Sequence, residues 1–111
     1  MLKTKLNIPN KAQIKKAFVF LVKAYNKRGY IQFGEAIIAL RMIGINVSPD
    51  KIQAVVVERE VGVKVYSYLI HIFLDTLEVS IGYETRYNSY ERKYELYWVA
   101  RVDPLFGYCY G

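Results

Sequence analysis

Apolar residues in the first third of the chain recur with a helical period. Ile14, Phe18, Leu21 and Tyr25 are spaced by four, three and four, with Ala17, Val22 and Ala24 beside them, so one helix face is apolar. Asn10 can cap that helix, whose expected span is Lys11 to Arg28, and Gly29 stops it. A short extended piece over Tyr30 to Phe33 precedes a second helix from about Gly34 to Ile43, ended by Gly44. Ser48, Pro49 and Asp50 then supply a hydroxyl cap, a first-turn proline and an early carboxylate. They predict a third helix running to about Glu60. The β-branched run Val55-Val56-Val57 makes a strand the competing reading there.

Further on the period drops to two. Val61, Val63 and Val65 alternate, and a strand is expected to enter from Val63, while Leu69, Ile72, Phe73 and Leu77 could line a helix, the competing reading over 63–76. Leu77, Val79, Ile81 and Tyr83 alternate with Glu78, Ser80, Gly82 and Glu84. Tyr94, Leu96, Trp98, Ala100 and Val102 alternate with Lys93, Glu95, Tyr97, Val99 and Arg101. Two half-buried strands joined by a polar loop, Thr85 to Arg92, form an antiparallel hairpin with one face on the core. The expected fold is α+β, three N-terminal helices followed by an antiparallel β-hairpin or sheet. One domain spans 1–111, with a basic arm at 1–9, a helical part at 10–62, a β part at 63–103 and an aromatic tail at 104–111.

Composition supports a folded chain. Of 111 residues, 53% are hydrophobic, with 11 Tyr and 5 Phe but only 3 Pro and 7 Gly. Cys109 is the single cysteine, which leaves no intrachain disulfide and no cysteine-based zinc site. With no apolar run of membrane-spanning length and no secretory signal pattern, the cytoplasm is the expected location. Abundant Lys, Arg, Ile, Val and Tyr with few Gln resembles the composition of hyperthermophile chains.

Charge alters the picture more than composition does. Lys3, Lys5, Lys11, Lys15, Lys16, Lys23, Lys27 and Arg28 fall in the first 34 residues with no acidic residue, for +8, while the remainder carries −2, giving the net +6. A polyanion would be steered to this end first. On the first helix Lys16, Lys23 and Lys27 lie opposite the apolar stripe, with Phe20 close beside them. Catalytic patterns are missing. His71 is the sole histidine, so a metal there would need carboxylates for every other ligand. Cys109 has no basic neighbour in sequence to activate it. Glu58 with Glu60, or Glu35 with Asp50, read as solvated carboxylates rather than an acid/base pair. No enzyme activity, cofactor or metal is therefore expected.

The element order resembles that of winged helix-turn-helix DNA-binding domains: a leading helix, the short strand Tyr30-Ile31-Gln32-Phe33, the helix Glu35 to Ile43, the turn Gly44-Ile45-Asn46-Val47, the capped helix from Ser48-Pro49-Asp50, and a hairpin as the wing. That resemblance implies a third helix in the major groove, with Lys51, Gln53 and Arg59 on the groove side and Arg86, Asn88, Arg92 and Lys93 at the wing. The implied reading helix has a net charge of −1, so binding would lean on the arm (Lys3, Lys5), on Lys16, Lys23 and Lys27, and on the wing. Double-stranded DNA bound by a homodimer, as in a small transcriptional regulator, is the expected function. The alternative is a protein-interaction module, such as a viral or plasmid-encoded adaptor, using Phe20, the Tyr-rich loop and the tail; RNA stacked on tyrosines is a third reading.

Residues 14–52 also resemble an EF-hand of the calmodulin type, through Ile14 to Phe18 and then Gly29-Tyr30-Ile31, Glu35, Leu40, Gly44, Ser48 and Ile52. The first, third and fifth loop positions hold Ala24, Asn26 and Arg28 and do not supply the oxygen donors that calcium requires. That resemblance therefore implies a calcium-free helix pair used in protein binding.

Overall fold

The computed structural model describes residues 10–105. Two helices, α1 (Lys11–Arg28) and α2 (Phe33–Met42), are followed by a 3₁₀ turn at Pro49–Lys51. Four strands come next: β1 (Ala54–Val61), β2 (Val65–Phe73), β3 (Leu77–Asn88) and β4 (Lys93–Pro104). The strands form an antiparallel meander in the order β1-β2-β3-β4. The α+β class holds, with two helices rather than three.

Helix α1 begins where its cap directs. The Asn10 side chain accepts from the Gln13 amide at 2.9 Å, and the Gln13 side chain accepts from the Asn10 amide at 3.1 Å, so two otherwise unpaired donors are satisfied. At the other end Gly29 takes a left-handed conformation (φ +86°) and returns its N–H to the Tyr25 carbonyl. The apolar stripe is buried as expected, through Ile14, Ala17, Phe18, Leu21 and Ala24. Residues 24, 26 and 28 continue α1, so the loop that the EF-hand resemblance requires is helix instead. Tyr30 to Phe33 does not form the short strand of the winged-helix order: α2 already starts at Phe33.

The third helix is the main correction. Pro49 and Asp50 do start a helical turn, but it stops after one 3₁₀ turn, and Ile52 is extended. The Gln53 N–H donates to the Phe73 carbonyl at 2.7 Å, and from Ala54 to Val61 every residue pairs with β2. The Val55-Val56-Val57 run settles into the strand because β2 offers it a ladder, and β-branched side chains pack well on a pleat. The hairpin strands also extend further than expected, leaving only Ser89 to Arg92 as the connection.

Both helices lie on one face of the sheet. Tyr68, Ile70 and Ile72 of β2 and Val79 and Ile81 of β3 point at the helix stripes, while Ala36, Ile37, Ala39, Leu40 and Ile43 complete the core from α2. Phe18 sits at the seam, edge-on to Tyr68, Tyr83 and Trp98 with ring centroids 5.0, 5.5 and 5.6 Å away. Burial and the hydrogen bond from Tyr83 to Tyr66 push the Tyr83 hydroxyl up to about 12. At the joint between the helices Glu35 accepts from the Arg28 guanidinium and, at 2.9 Å, from the Gln32 amide. The Arg28 bond holds the Glu35 carboxyl below the usual carboxylate range.

Among the described residues no helix covers the opposite face of the sheet. At its centre β3 leaves no room for a side chain at residue 82: a Cβ on Gly82 would stand 2.0 Å from the Tyr68 carbonyl oxygen and 3.0 Å from a Leu69 methyl. The absence of a side chain at 82 leaves room for the Leu69 methyl, and Leu69 and Val99, which flank Gly82 on the neighbouring strands, are both buried.

Candidate nucleic-acid interface

The outer face of α1 is the most strongly cationic surface among the described residues. Lys16, Lys23 and Lys27 are exposed and aligned, since the steps of seven and four residues return to the same face. At 1.5 Å per residue they span about 16 Å. Lys11 and Lys15 are exposed as well, and α1 contains no acidic residue. None of these five lysines has an ion-pair partner among the described residues, whereas Lys51, Arg86, Lys93 and Arg101 each lie within 3.8 Å of a carboxylate, and Arg28 is paired with Glu35. Lys11, Lys15 and Lys16 also occupy the first two turns, where the helix dipole favours acids. Stability of the helix does not account for cations placed there. Phe20 beside the stripe is half-buried and packs against the core.

The implied groove-side residues are not brought together with the wing. Lys51 (3.6 Å) and Gln53 (2.8 Å) both engage Asp75, at the sheet end where β2 turns into β3. Asn88, Arg92 and Lys93 lie at the other end, eleven residues along β3 or about 36 Å away. Arg59, on the helix side of β1, stacks over Tyr68 at 4.7 Å and donates to the Tyr66 hydroxyl at 3.2 Å; that hydroxyl lies below the usual tyrosine range because the Tyr83 and Arg59 side chains donate to it. With β1 in place of a helix, no element carries Lys51, Gln53 and Arg59 into a groove. Lys3 and Lys5 lie outside the described residues, as do Cys109 and the rest of the tail beyond Leu105.

The wing is a protruding hairpin tip. Asn88 accepts from the Tyr90 and Glu91 amides and donates to Glu95 at 3.1 Å, fixing the turn, in which Arg92 has a positive φ of 52°. Arg86 and Lys93 each lie 3.1 Å from a glutamate, at Glu84 and Glu91, so these two are compensated, whereas Arg92 has no ion-pair partner among the described residues. One member was not visible from the sequence: Lys64, in the β1–β2 turn, places its ammonium 5.8 Å from the Tyr87 ring centroid, and Tyr94, edge-on to Tyr87, donates to the Val63 carbonyl at 2.6 Å. Finding it requires the β1–β2 pairing, which a third helix would have excluded. The exposed tyrosines of this end are thus interleaved with Lys64, Arg86, Arg92 and Lys93.

His71 occupies the uncovered face. Its Nε2 lies 2.7 Å from Glu58, and its Nδ1 lies 2.7 Å from Glu78 and 3.0 Å from the Ser80 hydroxyl. The two carboxylates approach opposite ring nitrogens instead of converging on one point. Among the described residues no group of His, Cys, Asp and Glu is arranged to hold a metal ion. Glu58 and Glu60 share this face, while Glu35 and Asp50 are apart, engaged with Arg28 and Ser48.

No family model, curated protein or solved structure matches this chain. No helix among the described residues is long and apolar enough to cross a membrane.

Proposed function

We propose that this protein binds nucleic acid, with double-stranded DNA as the partner, through the outer face of α1. The observation that carries the reading is the line of Lys16, Lys23 and Lys27: three exposed, unpaired cations on a capped helix without an acidic residue. A rigid helix presents them together, so contacting phosphates orders little besides the lysine side chains. Each phosphate neutralised releases condensed counterions, which favours association independently of sequence. Because no helix is directed at a groove, the contacts are to the phosphate backbone, and base reading is not required of α1. The hairpin tip, with Tyr90, Arg92 and Lys64, supplies a second, smaller set of contacts. The interleaving of tyrosines with cations there favours this reading over a protein-interaction module, whose contact patch would be aromatic without a basic rim.

Fluorescence anisotropy of labelled duplex DNA at low salt tests the proposal. The wild-type chain binds, and K16E/K23E/K27E loses at least about tenfold in affinity. No wild-type binding, or equal binding by the variant, would overturn it.

A further inference from the structure

The free edge of the sheet carries a second kind of information, independent of nucleic acid. Strand β4 is an edge of twelve residues, and among the described residues nothing pairs with its outer side. Edges of this kind are commonly blunted by a proline, a bulge or a charge directed inward. Here the register with β3 is unbroken from Lys93 to Pro104, no proline occurs before 104, and apolar side chains along the edge remain exposed, with Tyr94 at 52%, Leu96 at 49% and Val102 at 46%.

The charges along β4 are arranged with two-fold symmetry. On the uncovered face the order is Lys93, Glu95, Tyr97, Val99, Arg101, Asp103. If a second β4 is laid antiparallel with Trp98 on the dyad, Lys93 stands opposite Asp103, Glu95 opposite Arg101, and Tyr97 opposite Val99. On the helix side Tyr94 meets Val102 and Leu96 meets Ala100. Every charge on the strand then has an opposite charge across it, twice per pair of chains. A shift of two residues one way sets Lys93 against Arg101, and a shift the other way sets Glu95 against Asp103. A shift of one residue would set the uncovered face of one strand against the helix side of the other. Like charges directly opposite are unfavourable and opposite charges favourable, so a single register is selected. Strand β1, at the other edge, has no basic residue on the face of Glu58 and Glu60 and lacks such complementarity.

We infer that β4 pairs with β4 of a second copy of this chain in that register, giving an eight-stranded antiparallel sheet with a two-fold axis through Trp98. The interface is isologous, so it closes at two copies. The axis stands normal to the sheet, which keeps both helical layers, and both lysine stripes, on one side of the assembly. The β3–β4 tips lie at the far ends of the shared ladder and stay free.

The test is sedimentation velocity on the full chain and on K93D and D103K, two substitutions at exposed positions, with circular dichroism to verify folding. Wild-type chains sediment as a dimer, and each variant alone, which faces two like-charge pairs per dimer, dissociates roughly tenfold or more readily. Mixed in equal amounts, the two variants form a heterodimer, because K93D then faces D103K and the native pair is retained on the other side. R101E and E95R repeat the logic one rung inward, should either of the first pair fold poorly. A monomeric wild type, a dimer indifferent to these reversals, or variants that do not recover on mixing would overturn the inference.

Discussion

Helix α1 and the sheet from β1 to β4 carry the same number of cations, six each, and use them in opposite ways. The sheet segment 54–104 balances its six with eight carboxylates, and five of the six, all but Arg92, lie beside glutamates or over tyrosine rings, as Arg86 does with Glu84 and Tyr97. Its charges are part of its own surface, ordered by cross-strand pairing. Helix α1 balances nothing on itself: Arg28 turns to Glu35 of α2, and the five lysines stand free. Cations balanced by nearby carboxylates do not draw a polyanion, whereas uncompensated cations held in line on a rigid element are suited to one.

Substitutions that remove the platform on which the helix lies should have the largest effect. A Cβ at residue 82 would collide with the Tyr68 carbonyl, and Gly82→Ala is expected to leave no stably folded sheet, a loss above about 5 kcal/mol, read by chemical denaturation. Phe18→Ala opens the seam between the layers and is expected to cost about 3–4 kcal/mol in the same measurement. Tyr94→Phe deletes the bond that ties the first hairpin tip to the second. It should cost about 1 kcal/mol and speed amide exchange at Gly62 to Lys64, with the core unaffected.

The smallest effect concerns the one place where α1 is compensated. The Glu35 carboxyl is lowered below its ordinary 4.5 by Arg28, so the pairing contributes stability above that pH and loses it as the pH falls further. The melting temperature of Glu35→Gln should lie below wild type at neutral pH, and the gap should close as the pH drops below 4.5. A gap independent of pH would show that Glu35 acts only as a polar cap.

Features whose signal is local were legible in the sequence. Asn10, the Ile14–Phe18–Leu21 stripe and Gly29 specify α1 locally, and the alternation at Leu77–Tyr83 and Tyr94–Val102 specifies the second hairpin. The lysine stripe was equally legible, since helical spacing alone aligns 16, 23 and 27. The segment after Ser48 was not. Its start signal is genuine but serves a single 3₁₀ turn, and β1 takes over because a partner eleven to nineteen residues away along the chain, from Phe73 back to Leu69, holds the Ala54–Glu58 part of it. The groove-side residues placed by the winged-helix resemblance lost that helix, while Arg86, Asn88, Arg92 and Lys93 lie on or beside the β3–β4 turn. Lys51 and Gln53 moved to the Asp75 turn, and Lys64 entered in a way no local pattern could reveal.

The salt dependence of duplex DNA affinity tests the role of α1 most directly. If Lys16, Lys23 and Lys27 each neutralise a phosphate, they account for about −3 of the slope of the logarithm of affinity against the logarithm of salt concentration. In K16E/K23E/K27E, folded by circular dichroism, that share is lost and the slope shrinks to the smaller remainder carried by the hairpin tip. A slope that survives the reversal unchanged would mean that the phosphates are held elsewhere, and would contradict the assignment of the interface to α1.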